Sequence, residues 1–180
     1  MQALVDAAGH EDFPASIVGI LSNKPDAAGL AFATARGIPT AVRSHRDFAT
    51  REGFDAALDE VLAGWQAEVV CLAGFMRVLS AGFVERWSRR MINIHPSLLP
   101  AYRGLHTHER ALADKVREHG CTVHFVTPGL DEGPTILQSR VPVMAGDTAE
   151  TLAERVLAEE HRIYPEALAL VARGLLEGQE

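Results

Sequence analysis

Only two cysteines, Cys71 and Cys121, occur in 180 residues, too few for a disulfide framework. Both sit in apolar runs and read as buried thiols, which favours a reducing compartment. No apolar run approaches the ~18 residues of a membrane span, and the longest candidate, residues 69–75, is strand-sized. The first ten residues lack the cationic start and long apolar core of a secretory signal, so the expected location is cytoplasmic. Basic residues are outnumbered: 17 Lys and Arg against 24 Asp and Glu give a net charge of -7, which argues against a general nucleic-acid binder. The 15 Gly and 9 Pro are close to average usage and exclude collagen-like and Pro-rich chains. There is no G-x-G-x-x-G and no P-loop, so NAD and ATP have no motif to support them. Eight histidines show no H-x-x-x-H spacing and the cysteines no C-x-x-C, so no metal site is expected. Ser97 lacks the G-x-S-x-G setting of a serine nucleophile.

What is present is an ordinary globular composition, 47% hydrophobic and 23% charged. The length fits one domain, residues 1–180, able to bury about 70% of its unfolded surface. Short apolar runs at 16–21, 40–42, 68–73, 91–94, 122–127 and 135–143 read as strands. Between them lie helical segments at 27–36, stopped by Gly37, at 51–64, with Phe54, Leu58, Val61 and Leu62 on one side, and at 105–114. Ser80 caps a short helix to Trp87. A long helix over 148–174 is expected to break before Pro165, and the chain opens inside a helix over 2–8. This alternation predicts an α/β fold, Rossmann-like, with three αβα layers and a mostly parallel sheet.

Three segments carry the residues that could do chemistry. Asn93 and His95 are two apart at the end of a strand, so they share a face at the edge where open α/β sheets bind ligands. Pro96 and Pro100 stiffen the exit. An amide that donates without titrating, beside an imidazole that titrates near neutrality, suits an oxyanion formed in acyl transfer. The plainer reading is a strand end and a loop cap. In the second segment, TPGLDEGP over 127–134, two glycines and two prolines shape a loop that presents Asp131 and Glu132. Asp131 could be a turn former; on the same edge as His95 it would orient and charge that ring. In the third, Glu159 and Glu160 flank the stripe of Leu152, Val156 and Ile163, on either a solvated helix face or one reaching a substrate.

On these residues a resemblance enters. SNKPDAAGL (22–30), VVCLAGFMRVLS (69–80), INIHPSLLPAYRGLHTHERAL (92–112), HGCTVHFVTPGLDEGPTILQ (119–138) and ERVLAEEHRIYPEAL (154–168) are similar to the phosphoribosylglycinamide formyltransferases, the folate-dependent glycinamide ribonucleotide transformylases of purine synthesis. The resemblance implies transfer of a formyl group from 10-formyltetrahydrofolate to the glycinamide amine, with small-molecule substrates and no metal, nucleic acid or membrane partner, in a monomer or homodimer. It places the catalytic Asn, His and Asp on Asn93, His95 and Asp131. It places the folate against Arg51, Leu72, Met76, Arg77, Val78, Leu79 and Val126, and the ribonucleotide against Glu160 and Pro96. Methionyl-tRNA formyltransferases and formyltetrahydrofolate deformylases share the Asn-x-His-Pro-Ser motif; the first calls for a basic face and a tRNA-binding domain, the second for a regulatory domain. A folate binder without turnover is the remaining alternative.

The resemblance further implies a first strand and a Gly/Ser/Asn-rich phosphate loop ahead of the opening helix. Neither is in the sequence, nor is the usual C-terminal segment. The expectation is a phosphate site short of backbone amides, two inner strands with unpaired edges, and a natural protein that begins upstream.

Overall fold

The computed structural model describes residues 1–177. Six helices and six strands follow in the order α1 (Gln2–Ala8), β1 (Ile20–Ser22), α2 (Ala28–Thr34), β2 (Thr40–Val42), α3 (Arg51–Gly64), β3 (Val70–Leu72), α4 (Ala81–Arg86), β4 (Met91–His95), α5 (Thr107–Ala113), β5 (Glu118–Phe125), β6 (Thr135–Pro142) and α6 (Ala149–Glu177). The α/β class and its layering follow from β4 itself. Met91 packs with Phe54, Leu58 and Leu62 of α3 and Phe83 and Val84 of α4. Its neighbour Ile92 packs on the opposite face with Val156, Ile163 and Leu168 of α6. Successive strand side chains point to opposite faces, so a fully buried pair such as Met91 and Ile92 requires a helical layer on each side.

The pairing differs in detail from a uniformly parallel sheet. β1 pairs parallel with β2, and β3 with β4. β5 then runs antiparallel to β4, and β6 antiparallel to β5. No helix separates β5 from β6, only the loop 126–134, and a connection without a crossover helix returns antiparallel. A second difference lies in α6, which runs unbroken through Pro165. Tyr164, Ala167 and Leu168 are all buried around it, and that packing outweighs the ~3 kcal/mol an interior proline costs.

Local signals set the ends of α3 and α4. The Thr50 hydroxyl accepts from Gly53 N–H at 3.1 Å and starts α3. Ser80 caps α4 by accepting from Phe83 N–H at 3.3 Å, and Ser80 N–H donates at 2.6 Å to the buried Asp55 carboxylate of α3. Asp55 thereby fastens the loop 73–80 to the helix beneath it.

Between β1 and β3 the sheet is discontinuous: the strands fall into one pair and one group of four. Ile20 N–H donates to Pro39 and Ser22 C=O accepts from Arg43, so the intervening Leu21 turns its backbone groups away from β2. Val70 N–H donates to Arg90, so Cys71 likewise faces away from β4. Leu21 and Cys71 both line a cavity of about 980 Å³ that Met1 also borders. Two sheet edges bordering one opening are templates for pairing with another strand. Self-association is therefore expected: sedimentation velocity over a tenfold concentration range (roughly 5–50 µM) should show growth of larger species. A monomer unchanged over that range would mean that the edges are satisfied within the chain.

Candidate active site

β4 delivers Asn93 and His95 to its carboxyl end, and β5 supplies what stands opposite. In the antiparallel ladder Asn93 pairs with His124 and His95 with Thr122. The His95 side chain is 8% exposed. Its Nδ1 lies 3.4 Å from Asp131 Oδ2, and its Nε2 lies 2.9 Å from the Tyr102 carbonyl oxygen. Both nitrogens face acceptors, an arrangement that the ring fills with two N–H bonds only when it carries two protons. Asp131 Oδ2 also accepts from Gly104 N–H at 2.9 Å, so the carboxylate clamps His95 to the loop that follows β4.

Asp131 reaches this position from the β5–β6 loop, where its own backbone is left-handed (φ 50°), a conformation Asp tolerates better than most residues. The loop is bound at both ends, by Phe125 N–H to Pro134 C=O and by Val126 N–H to Met91 C=O, each at 2.9 Å. Gly133 is required there, because a Cβ would collide with the Phe125 carbonyl. The exit loop of β4 is held by a side chain that sequence reading passed over. The fully buried Thr122 hydroxyl donates to Ser97 C=O at 2.6 Å and accepts from Leu99 N–H at 3.1 Å and Gln138 Nε2 at 2.9 Å.

His124 is the other unforeseen member. Its Nδ1 is 2.8 Å from the Phe125 carbonyl, and its Nε2 is 3.3 Å from Asn93 Nδ2 and 3.7 Å from Asp131 Oδ1. Burial lowers its pKa, while the Phe125 carbonyl and the Asp131 carboxylate work against that shift. The signal for His124 was its place two residues after Thr122 in a strand, but its partner depended on an antiparallel register 31 residues away.

The remaining expected residues divide. Leu72, Met76, Arg77 and Leu79 line the cavity described above. Arg51, Val78 and Val126 do not, nor do Asn93, His95, Pro96 and Asp131. Arg51 is exposed at the start of α3, and Val126 packs against the cluster of Leu79 and Met91. The two glutamates separate cleanly. Glu159 is spent on the surface, accepting from Ser139 Oγ and from Arg162 at 2.6 Å. Glu160 is half-buried, and burial pushes its carboxyl up to about 7, with the Met1 ammonium group nearby opposing the shift. Among the described residues no group of three or more His, Cys, Asp or Glu side chains is placed to hold a metal ion. No described helix is long and apolar enough to cross a membrane.

Comparison with known proteins follows this geometry. A family model described as formyl transferase matches residues 1–168. The trifunctional purine biosynthetic protein adenosine-3 of Bos taurus is 51% identical over 174 residues, 97% of this chain but 17% of its own length. The chain thus spans about a sixth of that relative. Phosphoribosylglycinamide formyltransferase of Escherichia coli K12 is 45% identical over 180 residues, 100% of this chain and 85% of its own length. The crystal structure of phosphoribosylglycinamide formyltransferase from Brucella melitensis superposes with a TM-score of 0.92 at 51% identity, covering 96% of this chain and 88% of that one.

Glu160 yields a pH-dependent expectation. An acid raised by folding from the ordinary 4.5 to about 7 favours the folded state below pH 4.5, and that stability is lost as pH rises through 7. Glu160→Gln should therefore raise the melting temperature at pH 8 relative to the parent and leave it near the parent at pH 4.5. A difference independent of pH would show that Glu160 is not the group titrating.

Proposed function

The chain belongs to the formyl transferase family, and from that premise we propose that it transfers the formyl group of 10-formyltetrahydrofolate to the amine of 5'-phosphoribosylglycinamide in de novo purine synthesis. The observation that carries this reading is the meeting of Asn93, His95 and Asp131 at the carboxyl end of β4. The substrate amine attacks the formyl carbon, a C–N bond forms, and the carbonyl oxygen becomes an oxyanion. An Asn93 side-chain N–H donates to that oxygen, and the positive charge of doubly protonated His95, itself buried, stabilises it. Asp131 holds the ring through Nδ1 and takes part in passing the amine proton toward N10 of the folate. Breakage of the bond to N10 releases tetrahydrofolate and formylated product.

Leu72, Met76, Arg77 and Leu79 offer the folate one side of a cleft, and the 76% exposure of Met76 and 63% of Val78 marks apolar surface that a pterin ring would cover. Arg51, exposed at the start of α3, is assigned to the folate tail, and Val126, packed against the cluster of Leu79 and Met91, to the apolar wall. Glu160, with Pro96 at the exit of β4, is assigned to the ribonucleotide. Both partners are small molecules, and the chain acts as a monomer or homodimer. Cys71 and Cys121 are free thiols pushed up to about 12 by burial, inert groups that suit a cytoplasmic location.

His95→Ala or Asp131→Ala should lower turnover by roughly 10²–10⁴ while reduced-folate affinity stays near the parent's, because both groups act on the transition state. Steady-state formyl transfer and folate titration calorimetry measure the two quantities separately. Near-normal turnover in either variant removes that residue from the mechanism, and folate binding without any turnover in the parent would favour a folate-binding role alone.

A further inference from the structure

His124 stands directly across the β4–β5 ladder from Asn93, and the reaction above makes no use of it. Its ring is 3% exposed, and both nitrogens have identified neighbours. Nδ1 lies 2.8 Å from the Phe125 carbonyl oxygen, which can only accept, so Nδ1 carries the ring proton. Nε2 is then a lone pair, and the Asn93 side-chain nitrogen lies 3.3 Å from it. One N–H of that amide donates to Nε2, and the second N–H on the same nitrogen is left for another acceptor. With the amide turned by 180°, its oxygen would meet the Nε2 lone pair, and the oxyanion would meet an oxygen in place of a donor.

We infer that His124 is a positioning residue: its unprotonated Nε2 fixes the Asn93 amide so that a donor, not an acceptor, is presented to the oxyanion. This inference rests on the role given to Asn93 under the proposed function. Burial helps keep the ring at one proton, and His95 acts in the same direction; Asp131, 3.7 Å from Nε2, acts against it. A second proton on Nε2 would set donor against donor at Asn93. It would also compete with His95 for the Asp131 carboxylate, which now reaches one ring with each oxygen.

Two substitutions separate the ring's two bonds. His124→Asn keeps a donor near the Nδ1 position for the Phe125 carbonyl and removes the acceptor; His124→Gln places a carbonyl oxygen near the Nε2 position. Deleting a donor to an oxyanion costs about 10²–10³ in kcat, so misorienting one in H124N should cost about 10–100-fold. KM for both substrates should stay within about threefold, since the amide acts on the transition state. H124Q should recover most of the loss. In an Asn93→Ala background H124N should lower kcat no further, because the group through which it acts is gone. Parent-like kcat in H124N, equal losses in H124N and H124Q, or an additive loss in the Asn93→Ala background would overturn the inference. Parent-like kcat in Asn93→Ala itself would instead overturn the role of Asn93, and this inference with it. Nitrogen NMR of the parent protein labelled at histidine requires no variant to fold: a protonated Nδ1 and a bare Nε2 on His124 are expected, and the opposite tautomer overturns the inference.

Discussion

The register of β4 against β5 is the constraint on which the site depends. It sets Ile92 opposite Phe125, Asn93 opposite His124 and His95 opposite Thr122. A slip of one residue would send Asn93 and His95 to the other face of the sheet and break every pairing of the site at once. Burial opposes the slip: Ile92 and Val123 are fully buried, and each contributes roughly 1.5–3 kcal/mol by leaving water. A buried polar group reinforces it. The Tyr164 hydroxyl of α6 lies 2.7 Å from the Leu72 carbonyl and 3.2 Å from the Ile92 carbonyl, tying the helix to β3 and β4 together. Burial holds that phenol far above its usual pKa, so it remains a donor throughout the neutral range.

Within that register the histidines show how far surroundings decide chemistry. His95 and His124 stand on adjacent strands and both approach Asp131, yet one faces two acceptors and the other faces an acceptor and an amide donor. His108 and His119 form a third arrangement, with ring centroids 5.1 Å apart and nearly perpendicular. Burial pushes His119 down to about 4, and its Nε2 has no hydrogen-bond partner among the described residues. Burial lowers the pKa of both rings, which favours their neutral forms. A count of eight histidines therefore says little about metal binding; the surroundings of each ring differ from one strand to the next.

What could be read from the sequence follows the range of each interaction. α3 was legible over its whole length because its apolar spacing is local, and Ser80 announced α4 for the same reason. Asn93 and His95 were legible as a pair because strand alternation is local too. The antiparallel course of β5 and β6 was not, since strand direction is settled by pairing between segments distant in the sequence. His124 and Thr122 stayed hidden with it, although each is an ordinary residue in an ordinary apolar strand. Pro165 misled for a related reason: the proline signal is local, whereas the contacts that carry α6 through it come from β3 and β4. The first strand begins later than the apolar run suggested, at Ile20, because Ile17 packs against the α6 core cluster while pairing with β2 starts only at Ile20.

The opening between β1 and β3 brings several costs to stability together at one place. Cys71, Met1 and the neighbourhood of Glu160 meet there, and both Cys71 and Glu160 are pushed toward their neutral forms by burial. A carboxylic acid held near 7 without a side-chain partner destabilises the fold once ionised, whereas Glu159, one residue earlier, rests in a network with Ser139 and Arg162 that holds its pKa low. Two adjacent glutamates on one helix thus differ because one is paired with Ser139 and Arg162 while the other is half-buried with the Met1 ammonium group nearby. The opening thus combines two costs: strand groups turned away from any partner strand and, near Met1, a half-buried carboxyl that ionises as the pH rises through 7.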